Sequence, residues 1–414
     1  MEIRCAMAAG DDRIRRYYLF RAVTSFSLWI PFWTLWANNH LDSLFLLTVV
    51  DAAFWSTMIC FQLPAGLLGD KYGRKAMLFI GEVLVVAGVM AFGFSTEFWE
   101  FLISNIVWAT GICFVVSGDT PFLYDTLLEL NRASEFIGVS AKAWSVMSVM
   151  TAVACVVGGV TVQWILPNRL DLTLIFSAFV ALLGSFTVLL LKEPKVDRTK
   201  FGSFRVQLSV GWKQVMSSRA ILAVIAFQIV VEILLYVMAV FRSVYMNDDL
   251  DLDYFYIGLF IGSFTIVGGI VATQAGRIEH MLGEKKSLLF ILIAIIGSFG
   301  IVFIMKSALA IVIQYLIYGI AALVSPITNG YINRRVDSEH RSTVVSIATL
   351  LFTLVLAPIE IGFGFVATEW GTRESLLILA LVAAPVGLIL LSIWFKEVDL
   401  SKPKTKKIRS LKQF

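Results

Sequence analysis

Charge is scarce in this sequence. Only 15% of the 414 residues are Asp, Glu, Lys or Arg, whereas 58% are hydrophobic. A typical soluble domain is about 25% charged and roughly 45–50% apolar. The mean hydropathy of +0.82 therefore excludes an ordinary soluble domain and indicates an integral membrane protein.

Cysteine and histidine are also few. The four cysteines show no CxxC spacing and three of them lie inside apolar runs, so we expect neither a disulfide framework nor a zinc site. The three histidines are too scattered for a metal site. There is no Walker A string, no dinucleotide fingerprint and no Gly-x-Ser-x-Gly motif. We expect no metal, no cofactor and no enzymatic activity.

Long apolar runs are abundant instead. A membrane-spanning helix needs about 20 apolar residues, and only a helix satisfies its own backbone hydrogen bonds in lipid. Twelve runs meet this length, so we predict an all-α integral membrane protein with twelve transmembrane helices. The runs are Tyr17–Asn38, Leu44–Leu68, Ala76–Ser95, Phe98–Tyr124, Ala141–Ile165, Leu170–Leu191, Ala220–Met246, Tyr254–Ala275, Ser287–Met305, Leu309–Gly330, Thr343–Ala367 and Leu376–Phe395.

The basic residues are distributed very unevenly between the predicted loops. When the loops are assigned alternately to two sides, 29 of the 34 Lys and Arg residues fall on the side of the N-terminus or at its edge. The other five are Arg21, Arg169, Arg242, Lys306 and Arg373. The positive-inside rule then places both termini in the cytoplasm. The net charge of +4 is therefore a sign of topology and not of nucleic-acid binding.

The chain divides into two six-helix halves. We predict a cytoplasmic N-terminus (1–16), a first half (17–191), a linker (192–219), a second half (220–395) and a basic tail (396–414). The linker mixes basic and apolar residues, as interfacial amphipathic segments do. We interpret it as a tether between the halves, and specific lipid binding is the alternative.

A weak internal repeat supports this division. Gly66 and Gly73 follow the second run, and Gly276 and Gly283 occupy the same place with the same separation in the second half. Internal duplication, with a site between the two halves, is typical of transporters.

One polar string between the second and third runs has a clear mechanical interpretation. It reads Gly66-Leu67-Leu68-Gly69-Asp70-Lys71-Tyr72-Gly73-Arg74-Lys75. We expect Gly66 and Gly69 to permit close helix packing and Gly73 to adopt a positive φ in a tight turn. Asp70 can face the positive end of a helix, and Arg74 can pair with a carboxylate.

This string resembles the loop 2–3 signature of the major facilitator superfamily of secondary transporters. The resemblance implies the twelve-helix fold of that superfamily, alternating access, and a cytoplasmic gate. In that gate Asp70 docks on the start of the eleventh helix, and Arg74 pairs with an acidic residue at the end of the fourth, where Asp125 stands. The predicted gate residues are Gly66, Asp70, Lys71, Gly73, Arg74, Lys75 and Asp125.

Further strings resemble a prokaryotic branch of the superfamily, which implies a cytoplasmic (inner) membrane location. They are Pro64-Ala65-Gly66, Tyr331-Ile332-Asn333-Arg334-Arg335-Val336 and Arg341-Ser342-Thr343-Val344-Val345-Ser346. Two departures weaken the motif for proton-coupled drug efflux. Gln62 stands where the branch commonly has Glu, and Gly158-Gly159 remain from an antiporter signature whose Gly-Pro is replaced by Ala154-Cys155.

Charged residues inside apolar runs are the other functional signal. Placing one charged side chain in the middle of a membrane helix costs at least about 2.5–3.5 kcal/mol on insertion scales. Arg21, Asp119 and Glu232 lie on the first, fourth and seventh runs. In the superfamily these helices line the central cavity. We predict that Arg21 and Asp119 pair and that Glu232 carries a coupling proton or meets a cationic substrate. Purely structural ion pairs are the alternative.

The remaining intramembrane charges lie elsewhere along the runs. Asp51, Arg242 and Glu360 are nearer the outer side and are predicted to form an extracellular gate of opposite charges. Glu82, on the third run, is expected to support the loop charges.

Three tryptophans form a helical stripe on the first run. Trp29 and Trp33 are predicted to form an aromatic wall for an apolar or cationic substrate, with simple packing as the alternative. Trp36 is expected in an interfacial belt.

Five acidic residues against two basic ones within the runs favour neutral or cationic substrates. We therefore expect proton-coupled efflux of an amphiphile. The alternatives are a proton-coupled uptake symporter for a metabolite and a non-transporting membrane sensor on the same fold. The expected partners are a small-molecule substrate, a proton or other coupling ion and membrane lipids, with no nucleic acid, and we expect a monomer.

Overall fold

The computed structural model describes residues 2–195, 212–305, 307, 309–336 and 341–401, and it leaves out the side chains of residues 2–10, 63, 341–342 and 399–401. The amphipathic part of the predicted linker and most of the basic tail lie outside the described residues.

Helices make up nearly all of the described chain, which contains no β-strand. They are α1 (Glu2–Thr24), α2 (Trp33–Asn38), α3 (Leu44–Tyr72), α4 (Arg74–Phe94), α5 (Phe98–Glu129), α6 (Phe136–Val160), α7 (Leu170–Leu189), α8 (Arg219–Val244), α9 (Tyr254–Ala272), α10 (Ala275–Ile304), α11 (Ala310–Asn333), α12 (Arg341–Trp370) and α13 (Thr372–Ser401). Eleven helical segments in the described residues are long and apolar enough to cross a membrane.

The twelfth crossing, predicted as one helix over Tyr17–Asn38, is split into α1 and α2. The expectation of a continuous first helix is therefore wrong. Residues 25–32 are non-helical, and Pro31 supplies no N–H there. Side chains of neighbouring helices satisfy the freed backbone groups. Ser177 Oγ accepts from the Leu28 N–H at 2.8 Å, and Thr151 Oγ1 donates to the Ser25 carbonyl at 3.2 Å.

The two ends of the bundle differ. We call the end that carries the turn at Gly73 and the segments 130–132 and 190–195 the basic face, and the opposite end the far face. Between them, large apolar side chains point outward, including Phe94, Ile103 and Leu183, each at least 60% exposed. In water such a surface would be a large apolar patch, so it indicates contact with lipid tails.

The two halves meet along two helix pairs, α3 with α12 and α6 with α9. Gly258 on α9 allows a close approach there, because a Cβ at this position would collide with the Cys155 carbonyl oxygen of α6. Small residues at such crossings are typical of helix packing in membranes. The halves therefore pack tightly along these lines and leave space between α2, α3, α5 and α8.

Candidate functional site

A cavity of about 310 Å³ lies between the two halves. The first half contributes the broken first crossing, α3 and α5, and the second half contributes α8. Its lining residues are Trp29, Ile30, Trp33, Thr34, Asp51, Phe54, Asn105, Trp108, Ile112, Tyr236, Ala239, Val240, Arg242 and Ser243.

Aromatic rings form much of the cavity wall. Trp29 and Trp108 meet edge to face with ring centroids 4.5 Å apart, and Phe54 lies 6.3 Å from Trp108 in the same manner. Trp29 belongs to the non-helical segment, so the predicted continuous stripe of tryptophans is wrong, although Trp33 lines the same cavity. Trp36 donates its indole N–H to the Phe92 carbonyl at 3.1 Å, and the interfacial position expected for it stays a prediction.

Arg242 is the cationic group of this wall. Its guanidinium lies over the Tyr318 ring at 5.1 Å, and its Nε is buried without a hydrogen-bond partner. Among the described residues no carboxylate is within ion-pair distance of it. The outer gate was predicted to pair Arg242 with Asp51 or Glu360. The structure does not show this pairing, because Arg242 contacts the Tyr318 ring instead.

Asp51 and Glu360 instead form a buried pair of like charges. Asp51 is 5% and Glu360 0% exposed, and the contact of Thr48 on α3 with Gly364 on α12, about one helical turn away, sets the two residues opposite each other. Tyr236 donates its hydroxyl to Asp51 Oδ2 at 2.5 Å, and Trp55 donates its indole N–H to the Tyr236 oxygen at 2.6 Å. Neither oxygen of Glu360 receives a donor from the described protein groups.

A second cavity, of about 410 Å³, lies within the first half and shares Trp29, Trp108 and Ile112 with the first. Its charged residues are Arg21, Asp119 and Glu82. The structure brings Arg21 and Asp119 together, with Nη1 and Oδ2 at 3.1 Å. Their role in transport stays a prediction.

Neighbouring side chains hold this ion pair in place. Tyr17 donates its hydroxyl to Asp119 Oδ1 at 2.9 Å, and Arg21 Nη2 contacts the Met147 sulfur at 2.6 Å. Glu82, 4% exposed, interacts electrostatically with both members of the pair. It therefore belongs to this cluster and not to the loop charges that it was expected to support.

Glu232 is placed differently from its sequence prediction. It lies in α8 and accepts a hydrogen bond from Gln228 Nε2 at 2.8 Å. It lines neither of the two cavities described above. Its coupling role stays a prediction.

The loop at Gly73 is anchored to the end of α7. Gly73 has φ of 99°, as expected for the turn. Glu193 accepts from the backbone N–H groups of Arg74 at 2.8 Å and Lys75 at 2.7 Å, which caps the start of α4. Lys75 Nζ donates to the Leu191 carbonyl at 2.7 Å. No sequence motif marks Glu193, because it lies far from the loop along the chain.

The predicted gate contacts are resolved only in part. Arg74 pairs with Asp70 at 2.5 Å, and Asp125 is 7% exposed. Docking of Asp70 on the start of α12 involves side chains outside the described set, so this contact and the Arg74–Asp125 pair stay predictions. The expected close packing at Gly66 is not seen among the described side chains, none of which comes within 4 Å of a Cβ built there.

The second half carries an equivalent loop with its charges exchanged. Gly283 has φ of 73° and interrupts α10, as Gly73 separates α3 from α4. Glu284 follows it and receives Arg335 at 2.8 Å and Arg334 at 3.2 Å, both from the end of α11. Hydrogen bonding to Glu279 raises the pKa of the Arg334 guanidinium, which therefore stays charged. The sequence repeat thus extends to the backbone geometry at the two glycines.

Contacts between the halves cluster toward the far face among the described side chains. The Phe45 N–H donates to Thr368 Oγ1 at 2.9 Å, and Thr48 touches Gly364. The Phe32 ring meets Tyr254 at 6.1 Å. The structure is therefore closed toward the far face.

Comparison with known proteins agrees with this architecture. The family model described as Major Facilitator Superfamily matches residues 18–359. The inner membrane transport protein YajR of Escherichia coli (strain K12) is 25% identical over 176 residues, which cover 38% of this chain and 38% of the relative. An uncharacterized transporter of Buchnera aphidicola subsp. Schizaphis graminum (strain Sg) is 26% identical over 148 residues, which cover 35% of this chain and 36% of the relative. The aligned part thus spans little more than a third of these curated relatives.

Solved structures with the same fold cover nearly the whole chain. A bacterial homolog of the human lysosomal transporter Spinster, in an inward-facing and unoccupied conformation, has a TM-score of 0.76 at 11% identity, covering 94% of this chain and 98% of its own. The nucleoside transporter NupG has a TM-score of 0.76 at 12% identity, and the match covers 92% of this chain and 99% of NupG. A D-xylose-proton symporter has a TM-score of 0.69 at 13% identity, and the match covers 91% of this chain and 96% of the symporter. These likenesses confirm the predicted twelve-helix fold class.

Proposed function

Because the chain belongs to the Major Facilitator Superfamily, we propose that it is a secondary transporter, and not an enzyme, which moves a small molecule by alternating access. The cavity between the halves is the substrate site, and the halves rock around it to expose it to one face and then the other. The basic face is cytoplasmic under the positive-inside rule, so the face that is closed in the conformation described above is the outer one. The membrane is the inner membrane of a prokaryote.

The finer proposal is proton-coupled efflux of a neutral or cationic amphiphile. One observation carries it, namely that the indole and phenyl rings of Trp29, Trp33, Phe54 and Trp108 line the cavity together with the carboxyl group of Asp51. Ring faces attract cations, and the large apolar area favours an amphiphilic body.

The test begins with binding and continues with direction. Purified protein is screened by thermal shift against amphiphilic cations, nucleosides, sugars and organic anions. Tetraphenylphosphonium is then used as the probe in proteoliposomes with an imposed pH gradient. We expect this cation to stabilise the protein and to move against its own gradient toward the acidic side. Movement of the cation together with protons would contradict efflux.

A second candidate function is proton-coupled uptake of an anionic metabolite. Arg242 supports it, since this guanidinium lines the cavity and has no carboxylate partner among the described residues. Stabilisation by organic anions but not by tetraphenylphosphonium would favour this candidate. Binding of either class without movement would indicate a sensor built on a transporter fold.

A further inference from the structure

The contact between α3 and α12 encloses two acidic side chains that have no basic partner in the described part of the chain. Asp51 and Glu360 are 5% and 0% exposed, and the contact of Thr48 with Gly364 about one helical turn away sets them opposite each other. Two ionised carboxylates in contact and out of water repel strongly, and a hydrogen bond from Tyr236 reaches only one of them. The geometry therefore requires a proton between them in this conformation.

Among the residues that the structure describes, the surrounding elements supply no compensating charge within ion-pair distance. On α8 the titratable neighbours are Tyr236, which donates to Asp51, and Arg242, which lies over Tyr318. On α5 the neighbouring polar group is the neutral Asn105, whose Nδ2 donates to the Val50 carbonyl at 2.7 Å. On α13, Arg373 lies at the far-face end and pairs with Glu374 at 3.3 Å.

The two carboxyl groups belong to different halves of the protein. Thr48 and Gly364, which touch at the far face, lie about one helical turn from Asp51 and Glu360 respectively. Opening the far face must separate these contacts, and it thereby separates the two carboxyl groups and admits water between them. Two hydrated, separated carboxylates no longer need a shared proton.

We propose that Asp51 and Glu360 share one proton that locks the far face shut, and that this proton is the coupling ion. The closed state binds one more proton than the state open to the far face, so raising the pH favours opening. This sign follows from the general linkage rule, because proton loss favours the state that binds fewer protons.

The position of Asp51 links this proton to the substrate, and this step rests on the proposed function. Asp51 lines the aromatic cavity as well as the carboxyl pair. A cation bound beside Asp51 stabilises its ionised form and so takes the place of the proton. Proton and cation then compete for one carboxylate, which is the requirement for exchange in opposite directions.

The test measures the far-face distance directly and needs no substrate. Spin labels are attached at Asp42→Cys and Glu369→Cys, two exposed positions at the far-face ends of α3 and α12. The background lacks the four native cysteines, and distances are measured in lipid nanodiscs from roughly pH 5 to roughly pH 9. We expect one short distance at low pH and a second, longer distance that grows as the pH rises.

Amide substitutions then identify the groups. Glu360→Gln supplies an N–H donor in place of the proton, so the short distance should persist across the range. Asp51→Asn and the double variant should behave in the same way. Asp171→Asn is the control, a largely buried carboxyl at the far face that pairs with Arg169 within the first half, and it should keep the pH response of the parent.

Two outcomes would overturn the proposal. One is a Glu360→Gln variant, monodisperse and with a parental melting temperature, that retains the full pH response. The other is loss of the response in Glu232→Gln, which would transfer the role to Glu232. If Glu360→Gln is unstable, Asp51→Asn decides by the same criterion. If tetraphenylphosphonium is not transported while the far-face distance still responds to pH, the proposed function is rejected and the shared proton is still supported.

Discussion

Glu193 binds the start of α4 through the backbone of Lys75, and the side chain of Lys75 binds the end of α7. The Glu193 carboxylate accepts the Lys75 backbone N–H at 2.7 Å at the start of α4, and Lys75 Nζ donates to the Leu189 carbonyl at 2.8 Å at the end of α7. Both contacts satisfy groups that a helix end leaves unpaired. The gate loop is therefore fixed to the first half through α7.

Loss of this cap should loosen the loop. Glu193→Ala should lower the free energy of unfolding by about 1 kcal/mol, since two N–H groups lose their acceptor. Thermal unfolding in detergent measures the effect. Glu369→Ala, an exposed carboxylate at the far face, serves as the control and should unfold like the parent. Equal melting temperatures for both variants would argue against the cap.

The Arg21–Asp119 pair should behave as one unit. Asp119→Asn leaves a part-buried guanidinium without its carboxylate and should destabilise the protein. Adding Arg21→Met removes that orphaned charge and should restore part of the loss, with a coupling energy above about 1 kcal/mol. Melting temperatures of the parent, the two single variants and the double variant form a double-mutant cycle that measures this coupling energy. Additive losses would show that the two charges act independently.

Asp70→Asn should change conformation more than stability. The Asp70–Arg74 pair is solvent-exposed on the Asp70 side, so its loss should cost no more than about 1 kcal/mol. If Asp70 docks on α12 in the state open to the far face, its loss should shift the population toward the closed far face. The spin labels at positions 42 and 369 should then report less of the longer distance. An unchanged distance distribution, together with unchanged transport, would refute the gate.

Trp29 should contribute to substrate affinity through its ring. Trp29→Ala should weaken binding of a stabilising amphiphilic cation about tenfold, whereas Trp29→Phe should keep most of the affinity. Isothermal titration of the purified protein provides the measurement. Trp99→Ala is the control, because Trp99 is 68% exposed and does not line the cavity. Equal losses at both positions would exclude a specific aromatic wall.

Topology makes a separate prediction. Reporter fusions at Phe414 and within residues 248–253 should give opposite signals, with the C-terminus cytoplasmic. The reason is that 29 of 34 basic residues fall on the side of the termini or at its edge. The same signal from both fusions would remove the twelve-crossing topology.

Several features of the site were visible in the sequence. A charged residue in an apolar run is conspicuous, and Arg21 and Asp119 were matched by the depth of their positions. The same criterion, applied to neutral polar residues in apolar runs, would have identified Asn105 as a candidate site residue. Tyr236 and Trp108 gave no such signal, because an aromatic residue in an apolar run has the same appearance whether it packs in the core or lines a cavity.

The break in the first crossing shows why local signals were insufficient. Pro31 marks the break, yet Pro121, Pro326, Pro358 and Pro385 all lie inside uninterrupted helices. Proline permits a break in a membrane helix, and neighbouring side chains decide whether the opened backbone is satisfied. At residues 25–32 the hydroxyls of Ser177 and Thr151 provide that satisfaction.

The sequence by itself determined the number of crossings and the place of the turn at Gly73, and it predicts the side on which each loop lies. Insertion into lipid depends on the hydropathy of about 20 consecutive residues, and the side of a loop depends on its own basic charge, so both are local properties. Only the tertiary structure decided which charges meet. It placed Asp51 against Glu360 and left Arg242 over a ring, because contacts between halves depend on how the helices pack and on which rotation each one presents.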